Sequence, residues 1–296
     1  MHDRDLPAVA GVEHRHVEVA TGVRLHIADA GDGPQLVLLH GWPQHWWCWR
    51  HVIGPLAQTH RVLAPDLRGW GWSDAPPGDY AKRTFADDVI ALLDHEGLER
   101  VRIIGHDWGA YAAFLLAQGH PERVERLVAL DIAPPWSRRL AAPRPRHLAL
   151  PLLASYQVLL ATPIVGPAAL TRTDALVRAV IRGGSGPDAT WSSEEIDVYA
   201  RVLREPARAR ASAACYRTFL TRELPAALAA GRGAGELAVP SLLLMGEASP
   251  LQRVLAPQAE PNLWVEVVVR AGHFLAEEAP HDVLRHARAW FDGTSP

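Results

Sequence analysis

The sequence predicts an α/β fold in which a mostly parallel sheet of eight strands is interrupted by one inserted helical cap. Short apolar runs alternate with amphipathic stretches as far as Leu130, the pattern of parallel strands joined by crossover helices. From Ala133 to about Glu236 the chain turns helical and Pro-broken, with no convincing buried strand. Strand-like sequence then resumes at Ser241–Met245. A break of roughly a hundred residues is too long for a plain loop and implies an insertion with its own helices.

The expected strands lie near His16–Val19, Arg24–Ala28, Leu36–Leu39, Val62–Pro65, Val101–Ile104, Leu127–Leu130, Ser241–Met245 and Trp264–Val269. Apolar residues at helical spacing predict helices over Gln44–Ala57, Thr84–His95, Ala110–Gly119 and His281–Phe291. Thr84 is the candidate cap of the second, and Gly97 and Gly119 are candidate stops. Gly183, Gly184, Ser185 and Gly186 read as a flexible break in the insert, and Ala142–Arg146 forms a Pro/Arg cluster. The division is therefore residues 1–132 and 237–296 as the α/β core and 133–236 as the cap.

Composition bounds the function. With 48% hydrophobic and 21% charged residues in 296, the chain can bury a large core. A formal net charge of −3 without a dense basic stripe argues against a nucleic-acid partner. The first twelve residues lack the apolar stretch of a secretory signal, and no run approaches the roughly 18 apolar residues of a membrane span. A cytoplasmic monomer or small homo-oligomer is expected. Cys48 and Cys215 have no CxxC spacing, so no metal is expected, and nothing calls for a cofactor. Lys82 is the only lysine, which fits a GC-rich genome.

Chemistry concentrates at a few positions. The strand Val101–Ile104 runs into Gly105, His106, Asp107, Trp108 and Gly109, followed by the helical AYAAFLLAQ stretch. This is the context of a nucleophile elbow, in which small neighbours permit a sharp turn that presents one side chain. Here that side chain is the carboxylate of Asp107. Gly-x-Asp-x-Gly also occurs as a plain turn, but the strand before it and the helix after it favour the elbow. Earlier, Leu38, Leu39, His40, Gly41, Trp42 and Pro43 end another strand, so the backbone amides of Trp42 and Trp108 are candidate oxyanion-hole donors. His40 reads as structural, and Trp46, Trp47 and Trp49 as packing. His273, in Ala271-Gly272-His273-Phe274 after the last strand, is the candidate base, since a nucleophile followed by a C-terminal His is a hydrolase order.

These segments, LLHGWPQ, APDLRGWGWSD, IGHDWGA, HPERVERLVALD and AGHF, resemble the α/β-hydrolase superfamily, and within it the epoxide hydrolase and haloalkane dehalogenase branch. The resemblance spans nearly the whole chain. A carboxylate nucleophile attacks sp3 carbon and becomes an alkyl ester, which excludes esterase and protease chemistry. The resemblance further implies that Tyr156, in Ser155-Tyr156-Gln157-Val158, and Tyr216, in Cys215-Tyr216-Arg217, activate an oxirane oxygen. Phenols with an ordinary pKa of about 10 stay protonated at neutral pH. Gln157 is a possible pocket residue.

Most members carry the His-orienting acid in a segment that here reads Gly246-Glu247-Ala248-Ser249-Pro250, which lacks Asp. The alternative family position, after the strand following the nucleophile helix, holds Asp131, preferred here over Glu247. Its competing role is a hinge residue bonded to the backbone of Ala133 or Trp136. Asp66, Asp74, Asp87 and Asp88 read as loop or surface carboxylates.

The leading expectation is an epoxide hydrolase acting on a small apolar epoxide. A haloalkane dehalogenase, with the Trp108 indole on the halide, is the first alternative; Trp42 stands where many dehalogenases have Asn. Fluoroacetate dehalogenases place Arg where Trp108 stands. A catalytically silent ligand-binding homologue is the second alternative.

Overall fold

The computed structural model describes residues 6–136, 155–229 and 237–294. Eight strands form one sheet: β1 (Glu13–Val19), β2 (Val23–Ala30), β3 (Gln35–Leu39), β4 (Arg61–Pro65), β5 (Val101–His106), β6 (Val124–Leu130), β7 (Ser241–Gly246) and β8 (Leu263–Val268). Their order is β1-β2-β4-β3-β5-β6-β7-β8. β1 and β2 pair antiparallel, as do β2 and β4, and every pairing from β4 through β8 is parallel. The central parallel strands are covered on both faces, so β3 and β7 read as apolar runs, and β5 is apolar apart from Arg102 and its last residue His106.

The registers line up the strand ends. His106 pairs with Leu130 and Leu130 with Leu244, so Asp107, Asp131 and the Gly246 turn emerge side by side at one edge. The carboxyl ends of parallel strands are where open α/β sheets build their sites.

Helices α1 (Ile53–Ala57), α2 (Lys82–His95) and α3 (Trp108–Gly119) belong to the core. The single helix expected over Gln44–Ala57 is instead a 3-10 turn at Trp46–Trp49 followed by short α1. Trp46 and Trp49 are fully buried, and this packing of bulky indoles, with turns on either side, wins over helical continuity. Thr84 does not cap α2. The N-cap is Ala81, without a side-chain bond, and the Lys82 amide donates instead to Glu223 Oε1 at 2.8 Å, a carboxylate from the insert. Gly97 follows the helix with φ +67°, as a left-handed stop requires.

Between β6 and β7 the described residues hold helices and no strand: α4 (Ser155–Ala161), α5 (Val165–Arg172), α6 (Ala175–Gly184), α7 (Ser193–Leu203), α8 (Pro206–Thr218), a π-turn at Phe219–Glu223, and α9 (Leu224–Ala229). α7 opens with a reciprocal capping box of Ser192 and Glu195. The Ala142–Arg146 cluster lies outside the described residues. After β7 come α10 (Pro250–Leu255), α11 (Leu275–Glu278) and α12 (Pro280–Phe291).

Within Gly183–Gly186, Gly183 is exposed, but Gly184 and Gly186 are packed tightly. Gly184 O accepts the His273 amide at 2.7 Å, and Gly186 N donates to Glu278 Oε2 at 2.7 Å. A Cβ on Gly186 would stand 2.2 Å from Arg270 O, so close backbone approach explains the glycine there. Two carboxylates read as surface groups are also buried. Asp66 is fully enclosed and accepts from the amides of Trp46 and Trp72, each at 2.8 Å, while bonding the His26 ring. Asp88 is paired with Arg68 and Thr21.

No described helix is long and apolar enough to cross a membrane.

Candidate active site

Asp107 sits between β5 and α3 with φ +50° and ψ −122°. Such a conformation in a non-glycine residue costs about 1–3 kcal/mol and persists only where its surroundings enforce it. They do so here. The Asp107 amide bonds Leu130 O at 3.2 Å, its carbonyl accepts from Tyr111 N at 2.9 Å, and α3 packs so closely that a Cβ on Gly109 would meet Leu39 O at 2.2 Å.

Asp107 is buried, its side chain 10% exposed. Its Oδ1 accepts the Trp42 amide at 3.0 Å, an approach open only because Gly41 lacks a Cβ, which would lie 2.3 Å from Asp107 Cβ. Burial raises the Asp107 pKa, against the pull of the His273 charge and of the Trp108 and Trp42 amides. Oδ2, the oxygen the Trp42 amide does not hold, faces His273 Nε2 at 3.7 Å, beyond direct hydrogen bonding.

His273 Nδ1 donates to Asp131 Oδ2 at 2.7 Å, so the network assigns the proton to Nδ1 and leaves Nε2 as the acceptor. Burial alone would lower the imidazole pKa, but the Asp131 hydrogen bond and the Asp131 and Asp107 charges outweigh it and hold it above 6.5. Asp131 is fully enclosed, with φ +46°. Its Oδ1 accepts Gly246 N at 3.0 Å, and Oδ2 also accepts Ser249 Oγ at 2.6 Å. None of its side-chain bonds goes to Ala133 or Trp136. Glu247 is exposed, and its carboxylate accepts the Arg270 amide at 2.9 Å, away from the imidazole.

The two tyrosines meet over this edge. Tyr156 on α4 stacks on Trp42 (centroids 5.9 Å apart, 15° between planes), and Tyr216 on α8 packs edgewise on Trp42, Trp108 and Tyr156 at 5.4, 5.6 and 5.7 Å. Burial and the Asp107 charge raise the Tyr156 pKa to about 12. Burial, with Tyr156 and Asp107 nearby, raises the Tyr216 pKa well above 10. Both remain neutral O–H donors throughout the neutral range. Gln157 Nε2 reaches Tyr156 Oη at 3.4 Å.

Asp107, His273, Asp131, Tyr156, Tyr216, Trp42 and Trp108 thus come together at this edge, whereas Glu247 does not. Two further ones had no separate signal: Ser249, the second donor to Asp131 Oδ2, and His106, whose Nε2 donates to His273 O at 2.9 Å. Burial holds the His106 pKa well below 6.5, so a neutral ring braces the loop. His40 has a structural place: its buried Nε2 accepts Leu67 N at 3.0 Å. Among the described residues no cluster of three or more His, Cys, Asp or Glu could hold a metal ion.

The alpha/beta hydrolase fold family matches residues 34–161. A soluble epoxide hydrolase of Corynebacterium sp. (strain C12) is 34% identical over 286 residues, 93% of this chain and 96% of that protein. The chain belongs to the α/β-hydrolase family. The AB hydrolase superfamily protein YfhM of Bacillus subtilis (strain 168) is 35% identical, covering 88% of this chain and 91% of that one. The solved structure of epoxide hydrolase CorEH without ligand superposes with a TM-score of 0.81 at 31% identity, over 96% of this chain and 100% of that chain. This α/β-hydrolase is therefore related to epoxide hydrolases along nearly its full length.

Proposed function

We propose that this α/β-hydrolase is an epoxide hydrolase, with residues 133–236 as the cap that completes its site. The observation that carries the reading is the arrangement of two neutral phenols, Tyr216 buried and Tyr156 half-buried, packed together beside the Asp107 carboxylate. A departing alkoxide needs an acid, and this pair supplies O–H groups where the ring oxygen would lie.

In the first step Asp107 Oδ2, the oxygen not held by the Trp42 amide, attacks an oxirane carbon. The C–O bond breaks, and the oxygen takes a proton from Tyr156 or Tyr216, leaving a tyrosinate that regains its proton from solvent. The product is a β-hydroxyalkyl ester of Asp107. In the second step a water gives a proton to His273 Nε2 and attacks Asp107 Cγ. The negative charge formed on Oδ1 is held by the Trp42 and Trp108 amides. Asp131 stabilises the imidazolium. Collapse expels the diol, which takes up the proton from His273, and the acid left at Asp107 releases the water's other proton to solvent to restore the carboxylate. No cofactor enters this scheme, and the partner is a small apolar epoxide.

Single turnover in oxygen-18 water tests the covalent route: the label is expected in Asp107 and absent from the first diol. Direct labelling of that diol would rule out the ester.

The pH dependence follows from His273. Its neutral form accepts the proton, and its folded pKa lies above 6.5, so hydrolysis slows as pH falls through that value. Alkylation needs only ionised Asp107, whose raised pKa starts from 3.8. Rapid quench below about pH 6.5 is expected to find a larger fraction of ester than at higher pH. An ester fraction that falls with acidity would exclude His273 as the base.

Halide release is the second reading, favoured by one observation: Trp108 Nε1 is buried without a hydrogen-bond partner among the described residues. Trp42 Nε1, however, donates to Ser212 Oγ at 3.2 Å and is not available to a halide. A bromoalkane panel that releases halide while epoxides stay intact would favour this reading. The motive for a silent binding protein, the missing acid at Gly246–Pro250, weakens once Asp131 bonds His273.

A further inference from the structure

We propose that Lys82, the only lysine, is a positioning residue that seats the Tyr216 phenol, against the Trp108 indole ring, for ring opening. The inference rests on the epoxide reading of the same site. Burying an ammonium is costly unless its charge is fully answered, and the Lys82 side chain is 0% exposed. Its partners come from two parts of the chain. Nζ donates to Glu223 Oε2 at 2.6 Å and to the Cys215 carbonyl at 3.1 Å, both in the insert. It also lies 4.3 Å above the Trp108 ring, next to the nucleophile, and 5.0 Å above Phe219.

These contacts bracket the second tyrosine. Cys215 precedes Tyr216, so a bond to its carbonyl fixes the peptide plane from which Tyr216 projects. Trp108 forms one wall of the Tyr216 ring at 5.6 Å. The π-turn Phe219–Glu223 completes the arrangement, because the extra residue in that turn brings Phe219 edgewise onto Trp108 at 4.8 Å while Glu223 reaches Lys82. Such turns often mark functional sites. Glu223 also holds the first amide of α2, so one carboxylate ties helix and ammonium together.

Lys82 touches neither Asp107 nor His273 in this arrangement, and it acts through Tyr216, which works only when the oxirane opens. A positioning role therefore separates the two steps. In rapid-quench single turnover, Lys82→Met is expected to slow ester formation by about 100-fold, the cost of a misplacement of about 1 Å. Hydrolysis of the preformed ester is expected to keep its wild-type rate. Glu223→Gln, which leaves the bond to Cys215, is expected to show a smaller loss in the same step.

Ester formation at the wild-type rate in folded Lys82→Met, or equal slowing of both steps, would overturn the proposal. If Lys82→Met does not fold, Glu223→Gln carries the comparison under the same criteria. If wild-type protein forms no ester with any epoxide, the functional reading fails, and the positioning claim is then judged by carbon NMR of ring-labelled tyrosine. The Tyr216 signal is expected to shift in both variants while that of Tyr199, on α7, stays in place. An unmoved Tyr216 signal would overturn the claim.

Discussion

Asp107→Asn is expected to abolish epoxide turnover, by roughly 10⁴-fold or more, and to leave a protein more heat-stable than wild type at mildly alkaline pH. The loss of activity follows because an amide cannot form the alkyl ester at a useful rate. The gain in stability follows from the site's own electrostatics. Burial raises the Asp107 pKa above 3.8, so the fold favours the protonated acid. That contribution is complete below the unfolded pKa and is lost as pH rises through the folded one. At neutral pH and above, the ionised Asp107 carboxylate is therefore a net burden, and Asn, which still accepts the Trp42 amide through Oδ1, removes it.

The sign depends on His273. Where that ring is protonated, Asp107 also pairs with a cation, and the benefit of Asn shrinks. The stability gap between variant and wild type should thus widen as pH rises past the His273 pKa and narrow toward about pH 4. Thermal unfolding across pH measures it, with each kcal/mol worth about 2–4 °C in a chain of this size. A variant less stable than wild type in alkaline buffer would mean that the carboxylate contributes more through its amide contacts than burial takes away.

What the sequence made legible was whatever is encoded locally. The elbow could be read because strand, small residues and helix are contiguous from Val101 to Gly119, and their spacing alone implies a forced turn at Asp107. The parallel sheet was legible for the same reason: β3 and β7 are buried on both faces and write that burial as apolar runs.

Contacts between distant segments were not legible. The first amide of α2 is held by Glu223 from the insert, so no local cap signals where that helix starts, and Thr84 was the nearest residue of suitable type. Gly184 and Gly186 look like a hinge in isolation and become packing residues only when the His273 loop lies against them. Asp66 looks like a loop acid until β2 and the Trp46 turn close around it. Tyr156 and Tyr216 are sixty residues apart, and only family likeness singled them out among five tyrosines.

Replacing Asp131 by Asn is expected to reduce turnover by about 10⁴-fold, whereas Glu247→Gln should stay within a few-fold of wild type. The carboxylate accepts from Gly246 N, Ser249 Oγ and His273 Nδ1, and its Oδ2 takes two of those donors at once. An Asn placed there keeps one oxygen for Gly246 but turns an N–H₂ toward Ser249 and His273. The imidazole then meets a donor rather than an acceptor and is driven to carry its proton on Nε2, where it can no longer take one from water. Ring opening needs no base and should survive, so the defect falls on hydrolysis, and intact mass should show the Asp107 ester accumulating in Asp131→Asn. Glu247 accepts only the Arg270 amide at the surface, and Gln can accept that bond equally well. If Glu247→Gln loses turnover while Asp131→Asn retains it, the imidazole must swing to a different acid during the reaction, and the Asp131–His273 bond would then belong to the resting enzyme alone.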